Sequence, residues 1–241
     1  MSEIFLLDAS GLELPRIAAA RVLSVGERDR LATFSSGLRQ REFLIGRLLL
    51  KSALTGFSPL RVQEFPSFVP KIEVTGKPSL PGFNFNLSHA GEVFILAIGK
   101  DSVGVDVEPV QSFDDEMAAL CFTQPQREKI IGAPHPERLA TLLWCLREAE
   151  GKRAGAGLAD PEKTCERIHR RGGFVKVRGT PYAWAIASSA VQSHTPWNAC
   201  RFQIDALIQS FTGCCFRRAR LAQVHPDAVA NLTPFSPCVA V

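Results

Sequence analysis

No stretch of this sequence approaches the roughly 18 consecutive apolar residues of a membrane-spanning helix, so no membrane partner is expected. The opening MSEIFLLDASGLELP lacks a basic n-region and carries Glu3, Asp8 and Glu13 instead, which argues against a secretory signal. The seven cysteines, at positions 121, 145, 165, 200, 214, 215 and 238, form no CxxC pair and no zinc-type spacing. An odd number of thiols without an export signal suits a reduced, cytoplasmic chain in which each cysteine is a small buried hydrophobe. In that setting Asn86-Leu87-Ser88 has no meaning as a glycosylation acceptor. The chain has no repeat, no low-complexity linker, no familiar nucleic-acid-binding motif and no GxSxG nucleophile elbow. Solenoids, zinc scaffolds, serine hydrolases of that type and nucleic-acid readers are thereby set aside.

What remains is ordinary in bulk. Its 241 residues are 46% hydrophobic and 22% charged, enough for one large core or two modest ones. The net charge of +4 is unevenly spread. Residues 161–241 hold ten Lys/Arg against four Asp/Glu, leaving 18 against 20 in the first 160 residues. A basic segment of this kind favours polyanionic ligands or acidic protein partners.

Periodicity predicts the elements. Phe34–Thr55 reads as a long amphipathic helix, with Phe43, Leu44, Leu48, Leu50 and Leu54 on its apolar face. Arg39, Arg41, Arg47 and Lys51 are expected on the polar face. Pro59, Pro66, Pro70, Pro78 and Pro81 then break the chain into short extended pieces. From Phe83 the period changes to two, as in a strand with one buried face, and Val93–Ile98 and Val103–Val107 read as further strands. Residues 126–131 and 136–153 read as helices, the second ended by the Gly155-Ala156-Gly157 stretch. Phe174–Val177, Tyr182–Ser188 and Phe202–Ile208 are strand candidates, and the tail after Pro226 has no clear period. The fold class is α+β with antiparallel sheet.

Chemistry concentrates in three words. In Gly104-Val105-Asp106-Val107-Glu108, two carboxylates two residues apart on a strand share one face, opposite Val103, Val105 and Val107. So placed they repel each other unless a cation lies between, and hard oxygen ligands suit Mg²⁺ or Mn²⁺ completed by substrate phosphates. In Trp144-Cys145-Leu146-Arg147-Glu148-Ala149-Glu150-Gly151-Lys152, Glu148 and Lys152 stand at i and i+4 on one helical face. A metal carboxylate and a phosphate-binding ammonium can then enter one cleft together. In Asn86-Leu87-Ser88-His89-Ala90-Gly91, Ser88 and His89 point to opposite faces and leave the strand into a Gly turn. That suits holding phosphate oxygens better than nucleophilic attack. Taken singly, each word has a bland reading: a solvated ion pair, surface charge, a strand-end histidine.

Taken in order, the three words resemble the larger, pseudo-dimeric class of 4′-phosphopantetheinyl transferases, the surfactin-synthetase-activating type. That class shows an (F)N(I/L)SH(S/A) strand, a G(I/V)D(I/V)E strand and a W(S/T)xKE(A/S)xxK helix. Gly76-Lys77-Pro78 looks like its GKP word, and Phe43–Lys51 is similar to its N-terminal FLxGRxLLR helix. The resemblance covers residues 39–158. Arg147 stands where the class usually has lysine, and Gln126 stands where many members have a glutamate, so a base role there is lost.

The resemblance implies two similar α+β halves side by side, about 1–115 and 116–241, each an antiparallel sheet with one long helix, with coenzyme A in the cleft between them. By the same resemblance Asp106, Glu108 and Glu148 hold Mg²⁺. Arg47, Lys77, Ser88, His89, Arg147 and Lys152 grip CoA phosphates, and Glu148 and Lys152 are the catalytic pair. The implied activity moves the 4′-phosphopantetheine of CoA to a serine of an apo acyl or peptidyl carrier protein, releasing 3′,5′-ADP. The fused halves make a self-sufficient monomer. Two other readings stay open on these residues: another Mg²⁺-dependent phosphotransferase, and a non-catalytic CoA- or carrier-binding homologue.

Overall fold

The computed structural model describes residues 2–12, 17–54, 62–72, 78–155 and 169–189. In chain order these form β1 (Ser2–Asp8), α1 (Ile17–Val22), α2 (Val25–Thr33) and α3 (Gly37–Leu54). A 3₁₀ turn (Val62–Ser67) leads to β2 (Lys71–Ile72), β3 (Pro78–Leu80), β4 (Phe83–Ala90), β5 (Val93–Gly99) and β6 (Val103–Pro109). Then come α4 (Asp115–Cys121), α5 (Gln124–Ile131), α6 (Pro136–Ala154), β7 (His169–Val177) and β8 (Thr180–Ser188).

Two antiparallel sheets result, one of order β1-β5-β4-β3-β2 and one of order β6-β8-β7. Strand alternation sorts the side chains between layers. On the first sheet, Phe5, Leu7, Phe85, Phe94, Leu96 and Ile98 bury against Ile45, Leu48 and Leu49 of α3. The opposite face, with Leu6, Val93, Ile95 and Ala97, packs on Val103, Val105, Val107, Val175 and Ile186 of the second sheet. On the far side of that sheet, Ala183, Ala185 and Ala187 receive Leu142, Cys145 and Ala149 of α6. The layers therefore run α3, sheet, sheet, α6. Each fully buried Leu, Ile, Val or Phe contributes about 1.5–3 kcal/mol.

Local signals set the helix ends. Ser24 and Glu27 form a reciprocal capping box at the start of α2. Helix α6 begins at Pro136, whose missing N–H costs nothing there, and ends at Gly155 in the left-handed region at φ 70°. Gln126 serves locally as a cap for α5, its side-chain oxygen accepting the Thr123 backbone N–H at 2.9 Å.

The structure differs from expectation in several places. The long helix starts at Gly37, because Phe34 is extended as the C-cap of α2. Lys51, expected on a polar face, has no exposed surface, because α2 packs over that side and brings Glu27 to it. The strand at Phe83 is covered on both sides rather than one: β6 lies against the face that bears Asn86 and Ser88. Phe174–Val177 and Tyr182–Ser188 fall within β7 and β8. Lys77, the strand candidate Phe202–Ile208 and the tail after Pro226 lie outside the described residues.

Candidate active site

The site is built on a missing side chain. A Cβ on Gly104 would stand well under 3.0 Å from the Ala149 carbonyl oxygen and from the Arg153 nitrogen, both backbone atoms. Glycine at this position therefore lets β6 lie directly on α6, and it brings Asp106 and Glu108 of the strand to Glu148 and Lys152 of the helix. Asn86 fixes the strand from its other side, its Oδ1 accepting the Val105 N–H at 2.9 Å.

At the centre lies Asp106, only 2% exposed. Lys152 Nζ donates to its Oδ1 at 2.6 Å, and Ser88 Oγ donates to the same oxygen at 2.8 Å. Lys152 also donates to Ser88 Oγ at 3.0 Å, closing a triangle of contacts. Asp106 Oδ2 is buried without a hydrogen-bond partner. Burial, and next the charge of Asp106, push the Glu108 carboxyl up to about 7, with Glu148 adding to the push and Lys152 opposing it. Burial also raises the Glu148 carboxyl above the ordinary range, against the pull of Lys152 and with the push of Asp106. Deep burial, then the charges of Asp106 and Glu108 and a side-chain hydrogen bond with Asp106, raise the Cys145 thiol, so it stays neutral. Arg147 lies near Glu148 and donates from Nη1 to the Cys121 carbonyl at 2.6 Å.

This donor set fits a divalent cation on three grounds. Its oxygens are hard, one buried carboxylate oxygen has no partner, and three mutually repelling carboxyl groups share a desolvated corner. Among the described residues no three His, Cys, Asp or Glu side chains form a ready-made metal cage. An ion such as Mg²⁺ needs none, since it is held by one or two carboxylates and completed by water and substrate phosphate.

Arg47 and His89 gather elsewhere. They line a cavity of about 230 Å³ with Arg39, Glu42, Phe43 and Leu87, between α3 and β4. The His89 ring stacks on Phe94 at 5.0 Å and its Nε2 stands 3.9 Å from Glu42 Oε2. The Arg47 guanidinium sits 5.0 Å above the Phe43 ring, and its Nε lies 3.1 Å from Glu27 Oε1. Ser88 thus joins the carboxylate cluster while its neighbour His89 joins the basic cavity, as strand alternation requires.

Sequence reasoning misses Glu27, Glu42, Asn86 and Cys145. Ser24-x-x-Glu27 is legible as a capping box. That Glu27 also pairs with Arg47 and with Lys51 Nζ at 2.6 Å has no local signal.

A sequence profile of the 4′-phosphopantetheinyl transferase superfamily matches residues 102–201, which take in β6, α6, β7 and β8. Over 162 residues the chain is 31% identical to a 4′-phosphopantetheinyl transferase of Bacillus subtilis, covering 58% of this chain and 69% of that protein. It is 25% identical to the 4′-phosphopantetheinyl transferase Sfp of Bacillus subtilis (strain 168) over 231 residues, 90% of this chain and 94% of that one. With the 4′-phosphopantetheinyl transferase HetI of Nostoc sp. it shares 28% identity over 168 residues, 65% of this chain and 69% of HetI.

Proposed function

Because this chain belongs to the 4′-phosphopantetheinyl transferase family, we propose that it transfers the 4′-phosphopantetheine of CoA to a serine of an apo carrier protein. The observation that carries this reading is the meeting of buried Asp106 with half-buried Glu108, Glu148 and Lys152 across the β6–α6 contact.

In this reading Asp106, Glu108 and Glu148 hold Mg²⁺, or Mn²⁺ in its place. When bound, the ion neutralises pyrophosphate charge and polarises the phosphoryl group. The carrier serine oxygen bonds to the β-phosphorus of CoA, and the bond from that phosphorus to the bridging oxygen breaks. 3′,5′-ADP leaves. Glu148 takes the serine proton. Lys152 and Arg147 balance the charge gathering on the leaving group. Arg47 and His89, in one cavity, serve the CoA phosphates together with Lys77.

We read the chain as two similar halves, about 1–115 and 116–241, with CoA between them. One long helix on each sheet supports this. The strand bearing Asp106 and Glu108 pairs with β8, so the metal strand is shared by covalent position and by hydrogen bonding. The basic excess in residues 161–241 suits docking of an acidic carrier. No helix among the described residues is long and apolar enough to cross a membrane. A cytoplasmic monomer is the expected working form.

The test is direct. The protein is incubated with CoA, Mg²⁺ and a panel of apo acyl and peptidyl carrier proteins, and each carrier is weighed. A phosphopantetheine mass gain on one serine, with 3′,5′-ADP released, is expected. No gain on any carrier, with intact CoA recovered, would sink the reading.

A further inference from the structure

The Ser88 hydroxyl has one proton to donate and two lone pairs. That proton goes to Asp106 Oδ1 at 2.8 Å, and a lone pair accepts from Lys152 Nζ at 3.0 Å. Lys152 reaches the same Oδ1 at 2.6 Å. Both donors thus act on a single carboxylate oxygen, while the buried Oδ2 receives neither of them. A carboxylate pinned by one oxygen from two directions cannot turn about its Cβ–Cγ bond without breaking both contacts in a buried place. Ser88 comes from β4 of the first sheet and Asp106 from β6 of the second, so the anchor crosses between sheets. Ser88 is 7% exposed, and Asn86, two residues before it on β4, accepts from the β6 backbone at Val105.

We propose that Ser88 is a positioning residue for Asp106, anchoring one carboxylate oxygen with Lys152 so that the other stays turned toward a divalent cation. The proposal rests on the reading of Asp106 as a metal carboxylate. It gives Ser88 a role distinct from gripping CoA. With its only proton on Asp106, the hydroxyl cannot at the same time donate to a phosphate. Partners that orient a ligating carboxylate typically change metal affinity by about 10–100-fold when removed.

The experiment measures Mn²⁺ binding to the purified full-length protein, without CoA, by electron paramagnetic resonance of the free ion. Wild type, Ser88→Ala, Ser88→Thr and Asp106→Asn are compared, with circular dichroism showing that each is folded. Ser88→Ala should bind Mn²⁺ about tenfold more weakly. Ser88→Thr, which keeps the hydroxyl, should recover most of the affinity, and Asp106→Asn should bind least. In transfer assays at saturating Mg²⁺, Ser88→Ala should keep a KM for CoA within about twofold of wild type, while its half-saturating Mg²⁺ concentration rises in step with the binding loss. Wild-type Mn²⁺ affinity in Ser88→Ala overturns the positioning role and leaves the metal site standing. An unchanged metal dependence with a raised KM for CoA overturns it too, and returns Ser88 to the phosphates. If wild type binds Mn²⁺ no better than Asp106→Asn, the metal assignment falls and the proposal with it.

Discussion

Lys51 shows how far a single residue departs from its sequence pattern. Its side chain has no exposed surface, and its Nζ donates to Glu27 Oε2 at 2.6 Å and to the Val22 carbonyl at 2.8 Å. Breaking a buried pair by removing one partner costs about 3–5 kcal/mol, because the other charge stays buried. Lys51→Met should therefore lower stability by about that much in urea denaturation. Lys51→Met combined with Glu27→Gln should cost less than the two single changes added together, since the Lys51–Glu27 pair is lost only once, although Arg47 then loses Glu27 as well. Strict additivity would mean that the pair is not coupled. The neighbouring cavity makes a separate prediction about substrate. If Arg47 and His89 hold CoA phosphates, alanine at either position loses a charge-assisted hydrogen bond of about 1.5–3 kcal/mol, or roughly ten- to a hundredfold in KM for CoA. The KM for the carrier should move little. Equal losses with CoA and dephospho-CoA at one of these positions would show that the residue does not touch the 3′-phosphate.

At the scale of elements, the contact of β6 with α6 holds the site together, and Gly104 is its closest point. Alanine there places a methyl well under 3.0 Å from a backbone oxygen, which no rotamer change can relieve. The strand and helix must separate. Gly104→Ala should lower stability by about 1–3 kcal/mol or more and depress transfer even where the protein remains folded, because Asp106 and Glu108 then stand away from Glu148 and Lys152. Paired melting curves and turnover measurements check this; normal turnover would show that the close approach is not needed for chemistry. Much of this is legible in the sequence. The alternation of Val105 and Val107 with Asp106 and Glu108 assigns the faces of β6, and the i, i+4 spacing puts Glu148 and Lys152 on one side of α6. What local pattern does not show is partnership. Nothing near Asn86 or Ser88 says that a strand of the other sheet will cover them, so β4 reads as half solvated. Nothing near Lys51 announces a glutamate one helix away. Alternation already sends Ser88 and His89 to opposite faces, but nothing local says that one of those faces leads to a carboxylate and the other to a basic cavity.

For the whole molecule, the carboxylate corner lies where elements from both sheets and from α6 meet, so a ligand there should stabilise the fold as a unit. Three carboxyl groups in one desolvated place repel each other, and burial together with Asp106 already pushes Glu108 up to about 7. An ion that binds only the folded state adds RT ln(1 + [L]/Kd), about 1.4 kcal/mol at ten times Kd. For a chain of this size that corresponds to an increase of about 3–6 °C in Tm. Mg²⁺ should therefore raise Tm by a few degrees, and excess EDTA should reverse it. Salt alone also screens repulsion between partly exposed carboxylates, so the comparison must be made against NaCl of equal ionic strength. The Mg²⁺-specific part should vanish in Asp106→Asn, which keeps the size of the side chain but loses its charge. That substitution relieves repulsion with Glu108 and also abandons Lys152, two opposed effects on the variant's own Tm, so only the Mg²⁺-induced shift is informative. An equal shift in wild type and Asp106→Asn would place the stabilising ion somewhere other than this corner, and the three-carboxylate assignment would have to be abandoned.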